Sequence, residues 1–255
     1  MMTVETSALV VPLTMAVAAG LVGATAVMRR MTLASDALSH LALPGVGIAL
    51  LLHANPVIGG FTALFLGAVL VWVLERETRI ATETIIGVLF SAALAVGSML
   101  ASGEELIDAL FGAPAAPSAI ESLLGVAAAL AVVAFMWRAQ DRLIIALVSA
   151  DLARTSGIDV PRLDLAYLLA FAATVALGLR YLGVLLMGSL IIIPAATARQ
   201  LARNLRQMRA LSVGIAVAAT LIGAAAAARL HLDAGPMIIT VAAGLFFAAV
   251  VLGRR

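Results

Sequence analysis

Residues 35–47 read SDALSHLALPGVG, and they sit inside an apolar run, 33–53, long enough to cross a membrane as a helix. Asp36 and His40 are four apart, which on an α-helix stacks them one turn above the other on one face, within reach of a single ion. Pro44 is four further on, and its missing N–H and its ring break the helical bond to the carbonyl four residues back, that of His40. Insertion scales set the cost of a charged group in hydrocarbon at about 2.5–3.5 kcal/mol, so an intramembrane Asp–His pair points first to the path of a transported ion. The plainer reading is that Ser35 or Asp36 caps the helix start and that His40 bonds to a neighbouring helix. Capping accounts for Asp36 but not for His40.

Around this stretch the composition leaves one class open. The 255 residues are 64% hydrophobic and 12% charged, far outside the range of soluble globular chains, so the protein is a polytopic membrane protein. Its basic residues recur between apolar runs instead of gathering on one soluble face, which excludes nucleic acid as a partner. There is no cysteine, so disulfides, thiolate ligands and cysteine nucleophiles are excluded. There is no lysine either: all 16 basic residues are arginine. A Walker A loop needs its lysine on the nucleotide phosphates, so any ATP used by this protein is hydrolysed by another polypeptide. Residues 1–7 lack the positive n-region of a cleavable leader.

Apolar runs place spans at 8–28, 33–53, 56–74, 82–101, 119–137, 164–181, 183–198, 209–228 and 236–252, each close to the ~20 residues that cross a ~30 Å hydrocarbon core. The expected fold is an all-α transmembrane bundle of about nine spans, residues 1–255 forming one domain. Eight spans is the alternative, because only Gly183 separates the two runs at 164–198. If Arg29 and Arg30 are cytoplasmic, alternation puts fourteen of the sixteen arginines on the same side, all but Arg180 and Arg229. The positive-inside bias then sets the N-terminus outside and the C-terminus in the cytoplasm.

The connections carry further signals. SADLARTSGIDVP, 149–161, has the start and stop marks of a short cytoplasmic helix: Ser149 as N-cap, Asp151 in the first turn, Arg154 near the end, Gly157 as C-terminal cap and Pro161 beyond. So short a helix needs something to pack on, either a cytoplasmic partner that docks there or the lipid headgroups. The longest outer segment, 102–118, carries Glu104, Glu105 and Asp108. These belong either to a short surface helix at Glu104–Phe111 that meets an outer partner or to a solvated loop. His53 and His231 fall at outer helix ends and read as wetted loop histidines. Pro194, inside the seventh run, is expected to bend its helix.

Three segments taken together resemble the permease subunit of the bacterial ABC-3 family of zinc and manganese/iron importers. They are SDALSHLALPG (Ser35–Gly45), SADLARTSGI (Ser149–Ile158) and GSLIIIPAATAR (Gly188–Arg199), with ALFG (Ala109–Gly112) as a weaker fourth. The resemblance implies a homodimeric permease of a bacterial cell membrane, served by two copies of a cytoplasmic ATPase and by an extracytoplasmic solute-binding protein. It implies a fold similar to the siderophore and vitamin B12 import permeases with one helix fewer. Asp36 and His40 would then contribute to the metal path, and Asp151, Leu152, Ala153 and Gly157 would couple to the ATPase. Pro44, Gly45 and Pro194 are the candidate hinges. No permanently bound cofactor is expected; zinc, manganese or iron would be cargo.

An ion-coupled secondary carrier is the competing transport reading, and it would have no use for an ATPase-docking helix. An intramembrane metalloenzyme lacks an HExxH motif and a third ligand near Asp36 and His40.

Overall fold

The computed structural model describes residues 2–31, 37–78, 80–100, 118–181 and 184–252. Their elements, in order, are α1 (Met2–Met28), α2 (Ala42–Leu51), α3 (Pro56–Glu77), α4 (Thr82–Leu100), α5 (Ala119–Val148), α6 (Ala150–Thr155), α7 (Val160–Tyr181), α8 (Val184–Leu201), α9 (Leu205–Leu230) and α10 (Ala234–Leu252). Residues 37–40 are also helical, separated from α2 by a turn at Leu41. Among the described residues there is no strand. Seven of these helices are long and apolar enough to cross a membrane, and a shorter apolar helix covers Ala37–Leu51. The runs at 164–181 and 183–198 emerge as two helices, α7 and α8.

Helix α1 is the centre of the bundle. It packs on α5, α7, α8 and α9, and 67% of its apolar window is buried against 17% in α10. Small residues make this possible. A Cβ on Gly20 would lie 2.7 Å from the Val213 Cα on α9, and one on Gly23 would lie 2.0 Å from the Ile191 carbonyl oxygen on α8. No hydrophobic force draws helices together inside lipid, so close backbone approach and interhelical hydrogen bonds carry the association. The Ser212 hydroxyl donates to the Gly20 carbonyl at 2.7 Å and is wholly buried. On the other side of the bundle, α2 packs on α3 and α4. There Gly45 and Gly59 face each other so closely that a Cβ on either would meet the other's carbonyl oxygen at 2.2 Å.

Helix ends follow local chemistry. Asn55 caps α3, accepting from the Val57 N–H at 2.9 Å, with Pro56 in the first position. Ser118 and Glu121 form a reciprocal capping box at the start of α5. Helix α5 differs from expectation at its other end, running to Val148 where the apolar run stops at 137. Its buried stripe Gly125, Ala129, Val132, Met136, Ala139 and Leu143 continues at helical spacing past Arg138 and Asp141, so packing carries the helix through a polar stretch.

Among the described residues, three helices end in the left-handed region without glycine. Arg30 (φ 60°), His53 (φ 51°) and His231 (φ 55°) follow α1, α2 and α9. After α1 the Met31 N–H donates to the Ala26 carbonyl at 2.9 Å and the Arg30 N–H to the Val27 carbonyl at 3.3 Å, the paired bonds of a Schellman motif. The two histidines therefore have a backbone role as helix terminators, a position where histidine is enriched.

Glycine at a contact and glycine facing open space should respond oppositely to one methyl group. Gly23→Ala is expected to cost about 1–3 kcal/mol through overpacking, while Gly87→Ala, with nothing within 4 Å of its Cβ, should gain up to about 1 kcal/mol. Thermal unfolding of the two variants in detergent measures the difference.

Candidate functional site

His40 is the last residue of the helical turn 37–40, next to the break at Leu41. Its ring is half-buried and meets the Phe90 ring of α4 edge-on, centroids 5.2 Å apart at 65°. Leu41 closes the turn by donating to the Leu38 carbonyl at 3.0 Å. The break falls at Leu41 itself, and Pro44 lies in the first turn of α2, where its missing N–H is tolerated. Gly45 is occupied by the contact with Gly59, which gives it a packing role beside the hinge role expected of it. Pro194 is buried within α8, and that helix continues through it to Leu201. Asp36 lies outside the described residues, as do Glu104, Glu105, Asp108 and the ALFG segment. Among the described residues no three His, Cys, Asp or Glu side chains come together as a metal cluster.

The second candidate region is α6. Ser149 caps it, accepting from the Leu152 N–H at 3.2 Å. At its end the Ile158 N–H donates to the Ala153 carbonyl at 2.9 Å and the Gly157 N–H to the Arg154 carbonyl at 3.0 Å. Gly157 adopts φ 77°, so this too is a Schellman motif, here with glycine where a side chain would be strained. Ala153 is fully buried while Leu152 is 54% exposed. Asp151 and Arg154 are exposed and 3.4 Å apart, a pair that screening makes nearly neutral for stability. One face of α6 thus grips α5 and α7, and the other offers a leucine outward.

Two features beyond the expected residues stand at the start of α7. The Arg29 Nη2 lies 2.6 Å from the Asp164 Oδ1, with the side chains 15% and 29% exposed, and the guanidinium stacks over the Tyr167 ring at 4.8 Å. The Trp72 indole N–H of α3 donates to the Pro161 carbonyl at 2.8 Å, and Arg76 stacks on the Trp72 ring. In the sequence Arg29 reads only as a topology marker, and nothing local pairs it with an aspartate 135 residues away. These contacts, with Arg209 bonding Gln140, gather the ends of α1, α3, α5, α7 and α9 at the face that carries the arginines expected inside.

The profile of the ABC 3 transport family matches residues 1–253. The chain belongs to that family. It is 30% identical over 233 residues to the high-affinity zinc uptake system membrane protein ZnuB of Haemophilus influenzae, covering 88% of each chain. It is 28% identical to the manganese transport system membrane protein MntC of Listeria monocytogenes, covering 97% of this chain and 90% of that one. Among solved structures it superposes with TM-score 0.80 and 27% identity on a chain of PsaBC from Streptococcus pneumoniae in complex with Fab, covering 96% of this chain and 90% of that one. An inward-facing ABC transporter of the metal-chelate type has the same fold, with TM-score 0.77 at 18% identity, covering 98% and 86%. The chain is therefore the membrane subunit of an ABC transport system, multi-pass, and not itself an ATPase.

Removing the cap of α6 isolates its local stability. Ser149→Ala should speed amide exchange at Leu152 about fivefold, the equivalent of ~1 kcal/mol, and hydrogen exchange in detergent measures it.

Proposed function

We propose that this protein is the permease of an ATP-driven importer that passes zinc or manganese from an extracytoplasmic binding protein to the cytoplasm. The observation that carries the reading is the extent of the family match, residues 1–253, which contains every motif position named above. Zinc and manganese systems both stand among the relatives. Oxygen and imidazole donors suit either metal, and ferrous iron as well.

In this reading Asp36 and His40 from two copies of the chain, related by a twofold axis, present two carboxylates and two imidazoles to one divalent cation. Two carboxylates cancel its charge, which removes most of the penalty of holding it in a low dielectric. The pair is then a station on the ion's route, binding weakly enough for the ion to leave. Phe90 against the imidazole supports the reading, because it fixes the ring's orientation with an apolar surface that does not compete for metal.

Residues 1–255 act as one permease domain in the bacterial cell membrane, N-terminus outside and C-terminus inside. Cytoplasmic ATPase subunits dock on the exposed side of α6, at Asp151, Leu152 and Gly157; Ala153, expected to take part, is buried and seats the helix instead. Pro44 and Pro194 take up the bending that alternation of access requires, while Gly45, expected to share it, is held against Gly59.

Metal uptake by proteoliposomes holding the permease, its ATPase and its binding protein tests both parts. Asp36→Ala and His40→Ala should each abolish uptake of labelled zinc and manganese while the chain still inserts and assembles; normal uptake in both removes the assigned path. Leu152→Asp should separate ATP hydrolysis from transport, and unchanged coupling refutes the docking assignment.

A further inference from the structure

Docking at α6 can drive transport only if its movement reaches His40, and the two regions have different neighbours: α6 packs on α5 and α7, α2 on α3 and α4. The elbow between α6 and α7 is built without slack. The Schellman bonds close α6 onto Ile158, and Asp159 then caps α7, accepting from the Arg162 N–H at 3.1 Å. Two contacts fasten the first turns of α7 to the rest of the bundle. Trp72 holds the Pro161 carbonyl from α3, and Arg29 holds Asp164 from the end of α1.

Both lead to His40. Helix α3 touches α2 through the Gly45–Gly59 contact, and its Gly67 lies where a Cβ would be 2.4 Å from the Leu41 side chain. Leu41 is the neighbour of His40 in the chain. Arg29 is eleven residues before His40, at the end of the helix from which the metal-bearing segment departs. We infer that Trp72 and the Arg29–Asp164 pair are positioning residues that transmit displacement of the α6–α7 elbow to the His40 segment, one through α3 and the other through the end of α1. The inference rests on the transport reading above. Its physical content is the Trp72–Pro161 hydrogen bond and the Gly67–Leu41 and Gly45–Gly59 contacts along α3, with the Arg29–Asp164 ion pair joined to His40 through the covalent chain.

The test is the number of metal ions imported per ATP hydrolysed, in proteoliposomes of the complete complex. Trp72→Phe keeps an aromatic ring near Arg76 and removes the N–H donor with the pyrrole half of the indole; Asp164→Asn keeps the shape and removes the charge. Each should lower the ratio at least about fivefold while ATP hydrolysis continues and the thermal midpoint stays near that of the unaltered chain. The Arg29→Gln/Asp164→Asn pair should lower it no further than Asp164→Asn alone, since both changes remove one interaction. An unchanged ratio in Trp72→Phe and Asp164→Asn overturns the inference and leaves the transport reading intact. A parallel fall in uptake and hydrolysis at constant ratio also overturns it, because that is the signature of residues that only hold the fold. If Asp164→Asn fails to assemble, Trp72→Phe decides alone by the same ratio. Absence of ATP-dependent metal uptake in the unaltered complex would instead overturn the transport reading.

Discussion

Gly20 and Gly23 let two other helices press their backbones onto α1, and the arrangement of the bundle depends on that approach. In water, burying leucine would suffice to hold such helices together. In lipid the apolar side chains gain nothing by leaving their surroundings, so contact has to come from atoms placed closer than a side chain would permit. The same solution recurs at Gly45 with Gly59 and at Gly223 against Ile238. The Ser212 and Tyr167 hydroxyls, which donate to the carbonyls of Gly20 and Val22, add interhelical bonds where no water competes. A helix as enclosed as α1 then serves as the reference against which the outer helices are positioned.

The polar side chains divide into two sets on this scaffold. One set is structural: Arg29 with Asp164, Trp72 with the Pro161 carbonyl, Ser149 and Asn204 at helix starts. The other belongs to the proposed transport path, where His40 lies edge-on against Phe90.

Much of this could be read in the sequence because the bilayer imposes a length on each crossing. The apolar runs at 56–74, 82–101 and 236–252 meet α3, α4 and α10 almost end for end, and Ser149, Gly157 and Pro161 marked α6 and its boundaries. The misses have specific causes. Polar residues at 138–142 ended the fifth run, yet Ala139 and Leu143 kept the helix packed to Val148. Arg30, His53 and His231 end helices in a conformation that glycine usually signals, so nothing in their identity announced it. Trp72 and Asp164 were invisible as contacts because their partners lie 89 and 135 residues away, and no local spacing encodes such a distance. For the candidate site, the aromatic neighbour of His40 required the fold, and Asp36 lies outside the described residues.

The length of α5 has a consequence for assembly. Thirty residues make a rod of about 45 Å, some 15 Å longer than the hydrocarbon it crosses. Its end carries α6 like a bracket on a post. In the proposed reading, a soluble subunit then meets α6 from the aqueous side without dehydrating itself against lipid.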